Sequence, residues 1–426
     1  MVDVAKVRMF GQNIGTFVWD DSYRVARFEY DNDFVGKGIE PSPIMMPVQQ
    51  GRIYSFGSLN WDTFNGLPGM LADSLPDTYG RALFDQWLTL TGRTTSNPVE
   101  SLCFLGQRCM GALEFEPATG PSSDANMKFE IDTLIDVARE ALSKKKDFGV
   151  NLDVDRKAAI AEILRLGTSA GGQRAKAIIA YNKETGEVRS GQISAPEGFD
   201  YYLIKLDGVT AEAGFKETEN FGRLEYSFSE LVKKCGIDMT ECSLIEENGR
   251  AHFLTKRFDR ENGRKIHMQT LCGMAHYDFR LKNGHSYEQA FNVMRRLRLP
   301  YSQAQEMFRR IVFNVVVRNQ DDHTKNISFL MDSSGHWSLS PAYDMGFAYN
   351  PLGAWTATHQ MSINGKFDNI TRADLLSLAN ANNIKNASEI IDQVCEATAG
   401  WPELAKNCGV PQKMIDGIVP HMLLSI

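Results

Sequence analysis

The chain has 426 residues, of which 43% are apolar and 23% charged, and its mean hydropathy is −0.30. Those values exclude a disordered, collagen-like or coiled-coil chain, and the length exceeds what one hydrophobic core usually serves, so two or three domains are expected. The 46 Lys and Arg against 53 Asp and Glu leave a net charge of −7, which argues against a chain that binds nucleic acid unaided through a broad basic surface.

No apolar run reaches the roughly 18 residues a membrane helix needs. The opening MVDVAKVRMFGQNIG lacks the apolar core of a secretory signal, so a cytoplasmic chain is expected. The seven cysteines, Cys103, Cys109, Cys235, Cys242, Cys272, Cys395 and Cys408, are odd in number and form no C-x-x-C. They read as small buried apolar residues, not as a disulfide framework or a zinc site. No H-E-x-x-H occurs among the eight histidines.

In chain order, VRMF, GTFVW and VARFEY alternate as strands do, with Gln-Asn, Asp-Asp and Asp-Asn pairs between them as turn signals. Next, FNGLPGMLADSLPDTYGRALFDQWL runs through a Gly/Pro loop into a helix that Asp77 can cap. Leu83 and Trp87, and Phe84 and Leu88, put one apolar face on it. The stretch EPATGPSSDANM, near 116–127, reads as a linker. Residues 130–166 read as helical, with Lys144–Lys146 as a solvated run. LGTSAGGQRAKAIIAYNKETGEVRSGQI gives a Gly/Ser-rich loop, a strand near 177–181, a turn at Asn182–Gly186 and a further strand. YYLIKL (201–206) is another strand, and LEYSFSELVKKCGI is an amphipathic helix that Gly236 closes. From about 261 the pattern is mainly helical, with caps at Ser302 and Thr371. The run IVFNVVV fits a helix or a buried strand equally by periodicity.

The densest chemistry lies in RNQDDHTKNISFLMDSSGHWSLSPAYDMG (318–346). ISFLM and HWSLS form a hairpin over Asp332–Gly335, so Asp321, Asn326 and Asp344 should converge at its open end. Asp and Asn are also the commonest turn residues, so such a loop is ordinary taken alone. The crowding of polar groups after a well-anchored apolar segment is not. Two carboxylates and an amide oxygen suit magnesium held with phosphates. Asp-x-x-x-x-Asn followed by Asp-x-Gly is also the order of parts in protein kinases. Gly167–Arg174 is glycine-rich but meets neither phosphate-loop pattern; Arg174 and Lys176 add positive charge beside it. Lys205 within YYLIKL could reach phosphates, with Glu225 as its helix partner, and KRFDR (256–260) could lead into an interlobe hinge.

These segments together resemble the HipA-family serine/threonine kinase toxins of bacterial toxin–antitoxin modules. The resemblance rests on the Leu-Pro-Gly and Asp-Ser-Leu-Pro-Asp signature, SAGGQRAKA, the LEYSFSELVKKCGI helix, KRFDR, NQDDHTKN and YDMG, and covers nearly the whole chain. It implies an α+β, two-lobed protein- and phosphoinositide-kinase-like fold. Residues 1–120 would be a small β-rich N-terminal domain, 121–260 an N-lobe with the Gly-rich loop, and 261–426 a helical C-lobe. It implies Asp321 as catalytic aspartate supported by His323 and Lys325, and Asn326 and Asp344 as magnesium ligands. ATP would be bound through Lys205, Gly171, Gly172, Gln173, Glu225, Arg257 and Phe258. It further implies autophosphorylation at Thr168 or Ser169, a helix-turn-helix antitoxin through which alone DNA is met, and a protein substrate such as an aminoacyl-tRNA synthetase. Three departures from the family pattern stand out: in Gln173-Arg174-Ala175-Lys176 the loop lysine is shifted by one or replaced, Leu224-Glu225 stands where Asn-Glu is common, and the autophosphorylation site is divided between two adjacent hydroxyls. A small-molecule phosphotransferase and an antitoxin-binding pseudokinase are the alternative readings.

Overall fold

The computed structural model describes residues 2–76, 78–90, 92–93, 95–120, 131, 174–191, 195–210, 219–261 and 263–426. The Asp77 cap, the 130–166 helical stretch apart from Ile131, and the Gly-rich loop with Thr168, Ser169, Gly171, Gly172 and Gln173 lie outside them, as does most of the expected linker. The chain forms two compact units. One comprises Met1–Ile39, Val48–Gly222 and Ser243–His267, the other Glu40–Pro47, Arg223–Cys242 and Met268–Ile426.

The first unit opens with an antiparallel sheet. Its strands are β1 (Val4–Met9), β2 (Gln12–Asp20), β3 (Val25–Tyr30), β4 (Ile53–Tyr54) and β5 (Glu114–Glu116), in the order β4-β3-β2-β1-β5. Alternation decides which face is buried: Phe17, Phe28 and Phe115 are fully enclosed, while Val18, Arg27 and Glu29 face out. The first turn falls at Phe10-Gly11, both at positive φ, and not at Gln12-Asn13, which begins β2. Two left-handed residues match the twist of a two-residue hairpin, and that demand outweighs the Gln-Asn signal. Short helices α1 (Trp61–Phe64) and α2 (Gly69–Ala72) follow, then α3 (Thr78–Leu90) and α4 (Pro98–Leu105). Phe84 and Leu88 are buried on α3 as its periodicity requires. Asn97 caps α4 by accepting from Glu100 N at 2.9 Å, with Pro98 at the first helical position.

A second sheet in this unit runs β7-β6-β8-β10-β9, with β6 (Arg174–Tyr181), β7 (Val188–Ser190), β8 (Asp200–Thr210), β9 (Cys242–Glu247) and β10 (Arg250–Lys256). Asn182 Oδ1 accepts from Glu184 N and Thr185 N and makes the expected β6–β7 turn. A ribbon of β11 (Arg260–Glu261) and β12 (Arg264–Lys265) follows. Asp207, in the second half of β8, accepts from the backbone N–H groups of Asn220, Phe221 and Gly222. It satisfies donors that the start of the next helix leaves open.

That helix is α5 (Phe221–Lys234). Gly236, at φ 73°, ends it, and Ile237 N–H returns to Val232 O. The second unit also holds α6 (Leu271–Ala275), α7 (Tyr287–Arg296), α8 (Tyr301–Val317), α9 (Arg372–Ala381), α10 (Ala387–Ala399), α11 (Trp401–Asn407) and α12 (Gln412–Ile418). Its strands are β13 (His267–Thr270), β15 (Ser328–Met331) and β16 (Trp337–Leu339) in one sheet, and the parallel pair β14 (His285–Ser286) and β17 (Met361–Ser362). The ambiguous IVFNVVV is helical, the end of α8, with every residue from Ile311 to Val317 buried. The helix begins after Pro300, an extended N-cap with no side chain to cap with, and not at a Ser302 cap, because Tyr301 and Ser302 already lie in the first turn. Thr371 caps α9 in a reciprocal capping box with Asp374. Phe228 on α5 stacks on Trp401 at 4.7 Å, and the indole N–H donates to Ser227 Oγ.

Candidate active site

The polar loop after α8 is built on a rigid base. Arg318, at φ 54°, caps α8 and turns the chain out, its N–H returning to Asn314 O and Val315 O. Residues 319–326 then form the crest of the loop, closed by a 3-10 turn at Thr324–Asn326, and β15 and β16 form the expected hairpin. Asn326 Nδ2 donates to Asp321 O at 2.8 Å, and Asn319 Nδ2 lies 3.5 Å from Asp344 O. The two arms of the segment thus meet at its base, as the hairpin requires.

Asp321 and Asp322 are adjacent in sequence but opposite in environment. The Asp321 side chain is 53% exposed, with His323 Nε2 at 4.0 Å from its Oδ1. The Asp322 side chain is 1% exposed. It accepts from Tyr287 Oη at 2.7 Å, from His359 Nδ1 at 2.8 Å and from Gln360 N at 2.7 Å. Burial, and then the Asp322 charge, push the Tyr287 phenol well above its ordinary range, so it stays a donor. Asp322 therefore anchors the loop while Asp321 presents a carboxylate.

A small cleft of about 20 Å³ is lined by Asn314, Asn319, Asp322, His323, Asn326, Tyr343 and Asp344, among others. That is room for one water-sized group. Asn326 and Asp344 share it; the Asp321 side chain stands outside its lining. Asp344 has φ 51°, a left-handed conformation that costs a non-glycine residue about 1–2 kcal/mol. Among the described residues no three His, Cys, Asp or Glu side chains converge as a metal cage. Asn326 and Asp344 both line the cleft, and an amide oxygen and a carboxylate are among the hard oxygen ligands that magnesium takes. His323 and Lys325 both pack on Phe279, with ring centroids 5.3 Å apart and Nζ at 4.8 Å from the ring.

The remaining candidates lie elsewhere. Lys205 on β8 stands directly opposite Lys176 on β6 and opposite Phe253 on β10, whose ring is 5.8 Å from its Nζ. Glu225 lies in α5. Arg257 forms a bidentate pair with buried Asp259 at 2.8 and 2.7 Å. Arg260 donates to the same carboxylate and to Cys109 O and Gly111 O, and Gly111 N–H donates to Asp259 Oδ2 at 2.6 Å. Burial alone would raise the Asp259 carboxyl, but Arg257 and Arg260 hold it below the usual carboxylate range. The guanidinium of Arg257 is thus committed within the protein, and Phe258 is partly exposed beside it. All seven cysteines are unbridged, and burial pushes the Cys103 thiol up to about 12 and Cys109 to about 11, as expected of core residues.

Sequence reasoning gave no role to Asp322, Tyr287, Asn314, Asn319 or His359. Asn314, the lone polar residue in IVFNVVV, was the one available signal.

With this geometry in place, the class is a mixed α+β fold whose polar loop and Asp-Met-Gly segment share one cleft. The chain belongs to the HipA family. The HipA-like C-terminal domain matches residues 168–401, more than half of the chain, and the HipA N-terminal domain matches 5–116. It is 30% identical over 136 residues to a Haemophilus influenzae protein named "Putative kinase", and 27% identical over 218 residues to "Putative kinase Y4dM" of Sinorhizobium fredii. The alignments cover 28% and 46% of this chain and 39% and 52% of those relatives. The fold is that of HipA in the Shewanella oneidensis HipA–HipB–operator DNA complex, at a TM-score of 0.67 and 17% identity, over 98% of this chain and 94% of that one. No helix among the described residues is long and apolar enough to cross a membrane.

Proposed function

We propose that this chain is an ATP- and magnesium-dependent serine/threonine-protein kinase acting as the toxin of a toxin–antitoxin module. The observation that carries the reading is the pairing of an exposed Asp321 with a buried, triply bonded Asp322 on a loop whose Asn326 shares a cleft with Asp344.

In this reading Asp321 orients the substrate hydroxyl and accepts its proton late in transfer. Asn326 donates through Nδ2 to Asp321 O, which fixes its amide plane and leaves Oδ1 for the metal. Asp344, which lines the same cleft, is the second metal ligand in this reading. Magnesium held there offsets charge on the phosphate oxygens. Lys205, with Lys176 opposite, holds phosphates of ATP, and Lys325 and His323 brace the loop through Phe279. Catalysis is then mostly positioning and electrostatics. A helix-turn-helix antitoxin is the proposed partner, supported by the HipB and operator DNA in the complex whose HipA shares this fold, and a protein hydroxyl, such as one on an aminoacyl-tRNA synthetase, is the proposed substrate.

Intact-protein and peptide mass spectrometry after incubation with Mg-ATP tests this, wild type beside Asp321→Asn. Phosphate on Thr168 or Ser169 in wild type alone is the expected result. Equal phosphorylation of both proteins overturns the role of Asp321. Absence of nucleotide binding overturns the kinase reading itself.

A further inference from the structure

Behind the cleft, four buried polar side chains are linked in series. Asn319 Nδ2 donates to Asn314 Oδ1 at 2.9 Å; Asn314 Nδ2 donates to Tyr287 Oη at 3.0 Å; Tyr287 Oη donates to Asp322 Oδ2 at 2.7 Å. Every bond points the same way, toward the carboxylate. The direction is forced, because Asp322 already accepts from His359 and Gln360 N, and a neutral phenol has one proton to give. Turning the Asn314 amide over would set its NH₂ against the NH₂ of Asn319. Chains polarised in one direction strengthen each member, and a buried carboxylate at the end orders the whole series. At its far end Asn319 Nδ2 also lies 3.5 Å from Asp344 O, the backbone oxygen of the residue at φ 51°.

We infer that Asn314 and Tyr287 are positioning residues: they join the Asp322-anchored loop to the Asp344 segment, so that the two candidate metal-holding groups, Asn326 and Asp344, keep one spacing. This deepens the proposed function, on which its consequence for metal binding rests. The linkage itself is a property of the fold. Nothing else in the sequence explains an asparagine amid seven buried positions of α8. An apolar residue there would pack as well, and a hydrogen-bonded amide in that place is retained for what it orients.

The test is hydrogen exchange of the full chain, read at residues 345–349, where Ala348 N–H donates to Arg318 O. The proteins compared are wild type, Tyr287→Phe, Asn314→Leu, the double variant, and Leu378→Ala in the core of α9 as a destabilised control. Each single variant is expected to speed exchange there about tenfold, the effect of losing one buried partner. The double variant is expected to do no more than either alone, because one break already interrupts the series. In parallel, the magnesium concentration for half-maximal nucleotide binding should rise severalfold in the single variants and not in Leu378→Ala. Unchanged exchange at 345–349 in Tyr287→Phe, effects that multiply in the double variant, or equal effects in the control would overturn the inference. A wild type that binds no nucleotide would refute the kinase reading, and exchange would still decide the linkage.

Discussion

The two adjacent aspartates make the sharpest prediction. Replacing Asp322 by Ala removes an acceptor whose side chain is 1% exposed and strands three donors, the Tyr287 phenol, His359 Nδ1 and Gln360 N. Each stranded buried donor costs about 1–3 kcal/mol, and removing one member of a buried charged cluster about 3–5 kcal/mol. The phenol can turn toward the cleft and recover part of the loss, so about 4 kcal/mol is expected, close to a thousandfold in the folding equilibrium. Asp322→Asn keeps one acceptor oxygen and should cost roughly half as much. Asp321→Asn, with more than half of its side chain in solvent, should change stability by no more than about 0.5 kcal/mol, yet abolish phosphoryl transfer. Urea unfolding of the three variants, followed by tryptophan fluorescence, reads the difference. If Asp322→Ala costs under about 1 kcal/mol, the anchor assignment fails; if Asp321→Asn costs over about 2 kcal/mol, the exposed residue is structural and the division of labour is wrong.

Three further outcomes follow from the geometry. Asp259→Asn should cost about 3–5 kcal/mol at pH 7 by leaving Arg257 and Arg260 buried together. Because the Asp259 carboxyl is held below its ordinary range, its contribution is present above about pH 4 and lost as pH falls, so the gap from wild type should narrow in acid unfolding curves. Burial pushes the His276 imidazole down to about 4; the unfolded chain takes up that proton first, and stability should fall by about 2–3 kcal/mol as pH drops from about 6.5 toward 4. His276→Asn, which suits its φ of 56°, should flatten that slope in pH-dependent thermal melts. A methyl group at Gly222 would sit 1.9 Å from Ala251 O, so Gly222→Ala should displace the start of α5 and lower the melting temperature by several degrees.

The first three strands, the β6–β7 turn, the strand through Lys205, the 328–339 hairpin, the Gly236 stop and the Thr371 cap were legible because each is decided by residues a few positions apart. The α8 run was not, since a buried helix and a buried strand are both apolar without interruption. Asp321 and Asp322 are interchangeable as letters; only Tyr287, His359 and Gln360, between 35 and 38 residues away in sequence, tell them apart. KRFDR read as a hinge whose side chains carry little. Its arginines instead close a contact with Cys109 and Gly111 across about 150 positions, and no local pattern announces that.

The order of the first sheet sets a timetable. β1 pairs on one side with β2, which follows at once, and on the other with β5, whose first residue is Glu114. At ordinary rates of protein synthesis, of about 5–20 residues per second, that second edge stays open for roughly 5–20 s after β1 is made. An unpaired strand invites pairing with another chain. Lys6 and Arg8, which later meet Glu116 and Glu114 in the closed sheet, place two positive charges along that edge during the wait, so the pairs that finish the sheet also guard the nascent chain until its last strand arrives.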